Sequence, residues 1–120
     1  MILTQLFRIT GEANNIIYDD GLKSTEKEKK RLLYIKLLLN GQADNDIQGY
    51  HERTKVFDIP DRLIDVEADT YNTDYAKPGA RMNEIEVGLE IPVGEVFKVA
   101  IKCGATAKNV HGFYAYELIS

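Results

Sequence analysis

The chain holds one cysteine, two histidines and three prolines among its 120 residues, and no stretch approaches the ~20 apolar residues of a membrane span. Each scarcity excludes something. The lone Cys103 forbids an intrachain disulfide and any zinc site built from several thiolates. Met1-Ile2-Leu3-Thr4-Gln5 lacks a charged stretch ahead of an apolar one, so no signal peptide is expected. No P-loop, dinucleotide fingerprint or Gly-x-Ser-x-Gly elbow occurs. Basic side chains number 15 against 19 acidic ones, and the net charge of −4 argues against general nucleic-acid binding. The expectation is a soluble protein of a reducing compartment or a virion, with no cofactor and no membrane span.

What is present is ordinary globular material, 44% apolar and 28% charged in 13.6 kDa. Surface scaling leaves roughly 6,600 Å² exposed of roughly 19,700 Å² in the unfolded chain. That is enough burial for one core, so residues 1–120 read as a single domain. Residues 1–60 balance nine basic against nine acidic side chains, and residues 61–120 carry the whole deficit with six against ten. The one basic concentration, Lys23, Lys27, Lys29, Lys30 and Arg31, is broken by Glu26 and Glu28 and reads as a solvated flank guarding a strand edge.

From Asn83 to Ile91 the chain alternates strictly, with Ile85, Val87, Leu89 and Ile91 against Glu84, Glu86, Gly88 and Glu90. Phe97, Val99, Ile101 and Cys103 alternate in the same way with Lys98, Ala100 and Lys102. Period-two patterning marks half-buried antiparallel strands. Pro92-Val93-Gly94 between them fits a three-residue hairpin loop, which predicts Leu89 opposite Phe97 and Glu84 opposite Lys102. A second regularity aligns Asn40–Tyr50 with Cys103–Phe113 without gaps, each with glycines eight residues apart and an aromatic after the second. It predicts one local hairpin used twice, with Gly49 and Gly112 allowing a bulge or a close approach.

Residues 25–39 admit two readings. Thr25-x-x-Glu28 fits a helix capping box, and a helix here would make the fold α+β. Against it, Leu33, Ile35, Leu37 and Leu39 alternate with Leu32, Tyr34, Lys36 and Leu38, as in a strand buried on one face and partly on the other. The strand is the reading adopted. With further strands at Leu3–Ile9, Ile16–Tyr18, Asp46–Phe57, Leu63–Glu67 and Val110–Ile119, the count reaches about eight, as in an all-β antiparallel sandwich.

Chemistry-bearing residues are few. Cys103 and His111 flank one turn, but Cys103 has the inward parity, where a thiol acts as a small apolar group, so no catalytic pair and no enzyme are expected. His51 and His111 lack carboxylates at ligand spacing, and Asp44-Asn45-Asp46 and Asp19-Asp20-Gly21 read as turns before calcium loops. Ala68–Arg81 is a long polar segment, and its Tyr71, Tyr75, Lys77 and Arg81 are candidate contacts for a carbohydrate or other ligand. Leu32, Tyr34 and Leu38 oppose the buried parity of their strand, and Phe113 and Ile119 oppose Tyr114, Tyr116 and Leu118. A second apolar face needs a cover, so these five are candidate interface residues.

Eight short strands in one small domain resemble the single jelly-roll structural proteins of virus and phage particles. The resemblance rests on strand count and hairpin layout and transfers no functional residue. It implies a non-enzymatic capsid or decoration subunit that forms a homo-oligomer or larger assembly. A carbohydrate- or ligand-binding module using residues 68–81 is the alternative.

Overall fold

The computed structural model describes residues 1–66 and 83–119. Nine strands follow in chain order: β1 (Leu3–Thr10), β2 (Ile16–Tyr18), β3 (Leu22–Lys23), β4 (Lys30–Leu39), β5 (Asp46–His51), β6 (Thr54–Pro60), β7 (Glu84–Ile91), β8 (Val96–Lys102) and β9 (Asn109–Leu118). Among the described residues the only helical turn is a 3-10 turn at Asp61–Leu63, and where a further strand was expected, at Leu63–Glu67, an isolated bridge joins Val66 to Leu39. The fold is an all-β antiparallel sandwich. A front sheet runs β1-β9-β4-β7, and a back sheet runs β2-β8-β5-β6 with β3 beside β8.

The pairings nest. β5 pairs β6, β4 pairs β7, β2 and β3 pair β8, and β1 pairs β9, so the chain is one long hairpin rolled up about the Glu52-Arg53 turn. Rolling adds the ladders β4·β9 and β5·β8, which join the two arms within each sheet. The inward side chains meet between the sheets: Ile35, Leu37, Leu39, Val110 and Tyr114 from the front, and Ile47, Phe97, Val99 and Ile101 from the back, all at most 2% exposed. Each such burial contributes roughly 1.5–3 kcal/mol.

Within residues 25–39, Lys30–Leu39 form a strand, and the capping-box signal serves the turn before it. Thr25 Oγ1 accepts the Glu28 N–H at 3.1 Å, and the Thr25 and Glu28 backbones exchange two hydrogen bonds. The turn closes and β4 starts at Lys30, whose own N–H reaches Ser24 Oγ at 2.9 Å. Of the basic flank, Lys30 is 8% exposed with Nζ 2.6 Å from the Lys23 carbonyl, so it is not a solvated guard.

Two pairing expectations are corrected. β7 and β8 lie in different sheets, so Pro92–Gly94 is an arch over the sandwich and not a hairpin loop. Both strands bury their alternate residues in the same core from opposite sides, and alternation alone does not distinguish that from direct pairing. The acids of β7 pair within the front sheet instead: Glu84 lies 3.7 Å from Lys36 and Glu90 2.7 Å from Arg31. The two glycine-marked segments are likewise arches, one carrying β4 to β5 and the other β8 to β9. Their glycines do behave as expected. The β5·β6 register shifts between Gly49 and Tyr50, and a Cβ on Gly112 would overlap the Lys36 carbonyl of the neighbouring strand.

A third correction concerns Leu32. The β4 register shifts between Leu32 and Tyr34 against both neighbours, with Leu33 as an extra residue facing β9. Opposite, β7 absorbs the irregularity at Gly88, whose φ of 60° a side chain would strain. The bulge inverts parity at its N-terminal side, so Leu32 turns inward and is fully buried while Leu33 and Tyr34 stay half-exposed.

Candidate interaction surface

Direct registers fix which side chains share the outer side of the front sheet. One row runs Thr4, Ala115, Tyr34, Glu86; the next runs Leu6, Phe113, Lys36, Glu84; a third holds Arg8, His111 and Leu38. Of the five expected interface residues, Tyr34, Leu38 and Phe113 are thereby brought together. The Tyr34 and Phe113 rings stand edge to face with centroids 6.4 Å apart. None of the three joins the core cluster. Leu32 is buried, as described, and Ile119 lies past the end of β9, with its N–H on the Lys29 carbonyl at 2.8 Å. The sequence reading missed Leu6, which is 80% exposed beside Phe113, and Leu33, displaced outward by the bulge. The signal for Leu6 was its parity, opposite to that of Phe7 and Ile9.

The surface is charged at its borders. Arg31 holds Glu90 at 2.7 Å and Glu117 at 2.9 Å, and its guanidinium keeps the Glu90 carboxyl below the usual carboxylate range. Lys36 reaches Glu84. Among the described residues, Arg8 and Glu86 have no ion-pair partner, and both are exposed.

The back sheet offers a smaller aromatic surface. Tyr18 pairs across from Ala100, and its ring lies 5.5 Å from that of Tyr50. The Tyr50 hydroxyl donates to Gln48 Oε1 at 2.6 Å, and burial followed by the neighbouring Tyr18 pushes the Tyr50 phenol up. Ala100 beneath is fully buried, and Gln48 is 3% exposed.

The other candidates are placed apart. Cys103 is buried at 4% exposure, whereas His111 takes the outer parity of β9, so no nucleophile–base pair forms. His51 Nε2 lies 2.7 Å from Glu95 Oε1. Asp19 Oδ2 accepts the Gly21 N–H at 2.8 Å, and Asn45 Oδ1 accepts the Gly104 N–H at 2.8 Å, as turn residues do. Asp61 is 1% exposed and accepts the Ala43 N–H at 2.7 Å; burial pushes its carboxyl up, offset in part by that bond. It borders an open cleft of about 370 Å³ lined also by Asp44, Asn45 and Asp46. Among the described residues no group of three or more His, Cys, Asp or Glu side chains is arranged to hold a metal ion, and no helix is long and apolar enough to cross a membrane. Tyr71, Tyr75, Lys77 and Arg81 lie outside the described residues. No protein-family model, curated protein or solved structure matches the chain.

Proposed function

We propose that this chain is a non-enzymatic assembly protein, a capsid or decoration subunit of a virus or phage particle, acting through protein–protein contacts. The observation that carries the reading is the apolar outer side of the front sheet, where Leu6, Leu33, Tyr34, Leu38 and Phe113 gather away from the core. A monomeric sandwich has no use for a second apolar sheet face, and a subunit has. The rolled hairpin supports the jelly-roll reading, because two facing sheets built from one nested ribbon are the architecture of single jelly-roll particle proteins. Size-exclusion chromatography with light scattering, followed by electron microscopy of the same sample, tests it. A discrete multimer or regular particle is expected, and a monomer at high concentration overturns the reading.

A carbohydrate-binding role is the second reading, and the back sheet favours it. Tyr18, 49% exposed, packs its ring against that of Tyr50, and Asp58 is exposed on the neighbouring strand, a mixture of stacking and hydrogen-bonding groups that suits a sugar. A glycan array read with the intact protein and with Tyr50→Ala decides it: a hit lost in the variant supports this role, and an empty array removes it.

A further inference from the structure

We infer that the front sheet docks on the front sheet of a second copy of this chain, about a twofold axis that pairs Arg8 of each copy with Glu86 of the other. The inference rests on the assembly reading above and names the partner for its surface. A twofold interface uses one patch twice, so the patch must complement itself: apolar at the axis, with opposite charges on opposite sides of it. The front sheet meets both conditions. The midpoint of the face falls between Phe113 and its register partner Lys36, whose charge Glu84 already holds. Among the described residues of this face, the exposed charges left unpaired within the chain are one cation on β1, at one edge, and one anion on β7, at the other. The remaining acids, Glu84, Glu90 and Glu117, are already held by Lys36 and Arg31.

The positions also set the docking angle. Arg8 and Glu86 are separated by three strand spacings across the sheet, about 14 Å, and by four residues along it, about 13 Å, since Glu86 shares its row with Thr4. They therefore lie on a diagonal near 45° to the strands. An axis perpendicular to that diagonal brings both Arg8–Glu86 pairs together when the two sheets cross near a right angle, one of the two packing angles that sheets adopt. The axis passes between Phe113 and Lys36, and Glu84 of the same copy offsets the Lys36 charge there. The same rotation sets Leu6, 80% exposed, over the second copy's half-exposed Tyr34.

Charge reversal tests the pairing. Sedimentation equilibrium is measured on the intact protein, on Arg8→Glu, on Glu86→Arg, on the double variant and on an equimolar mixture of the two singles. Each single reversal is expected to weaken self-association about tenfold, because both copies then present like charges. The double variant and the mixture are each expected to recover it, since opposite charges then face one another again at both contacts. Leu6→Glu is expected to abolish association, with circular dichroism unchanged because the site is exposed. A wild-type monomer overturns both this docking and the assembly reading. Multimers indifferent to all the reversals overturn the docking alone, as does loss in the singles without recovery in the double variant and the mixture.

Discussion

The phenol of Tyr114 leaves β9, crosses the core and lands on the back sheet, donating to Asp19 Oδ2 at 2.8 Å and accepting the Val99 N–H at 2.9 Å. The chain departs from β8 between β2 and β3, so Val99 lacks a strand partner for that N–H, and the hydroxyl supplies one. Tyr114→Phe orphans a buried donor and is expected to cost about 1–3 kcal/mol, read as a lower denaturant midpoint at unchanged slope. Asp61 offers a test by pH. Its folded-state pKa is raised by burial, so between the unfolded and folded values the native state binds more protons and stability falls as pH rises. Asp61→Asn keeps an acceptor for Ala43 and removes the charge. The variant is expected to gain on the wild type as pH climbs through the carboxylate range and to hold that gain above it, measured as paired urea midpoints. Parallel curves would mean Asp61 ionises as it does in water. Neither role was legible beforehand: Tyr114 read as one of several aromatics of the last strand, and Asp61 sits in no motif.

At the level of single strands, the sequence carried period but not partnership. Ile85 to Ile91 and Phe97 to Cys103 alternate because each buries one side, and that much is local chemistry. Which strand lies alongside is settled by arches and long-range packing, and the Glu–Lys match that argued for a β7·β8 hairpin was met equally well by Lys36 and Arg31 of β4. Leu32 was misplaced for a related reason, since one inserted residue inverts parity and leaves no mark in composition. The glycines, by contrast, announced their strand. Gly112→Ala would drive a methyl into the Lys36 carbonyl inside the β4·β9 ladder, and loss of soluble folded protein is expected. Gly88→Ala meets nothing within 4 Å and bears only the strain of φ 60°, so about 1 kcal/mol is expected. Thermal unfolding of both variants checks the contrast.

For the molecule as a whole, nested pairing means that its outermost ladder joins Leu3 to Tyr116, while the innermost joins His51 to Thr54. Loop closure of that range is slow, and refolding in milliseconds to seconds is expected in stopped-flow fluorescence; a microsecond phase carrying the full amplitude would contradict the rolled arrangement. The apolar outer side of the front sheet was legible in part because an apolar side chain on the wrong parity is visible in a sequence, whereas the charges at the sheet's edges are not placed by parity alone. The Leu3–Tyr116 neighbourhood also gives the molecule freedom of connectivity. A circular permutant spliced across that corner with a short flexible tether and opened between Glu52 and Arg53 keeps all its ladders, exchanging the order of the two arms without moving either.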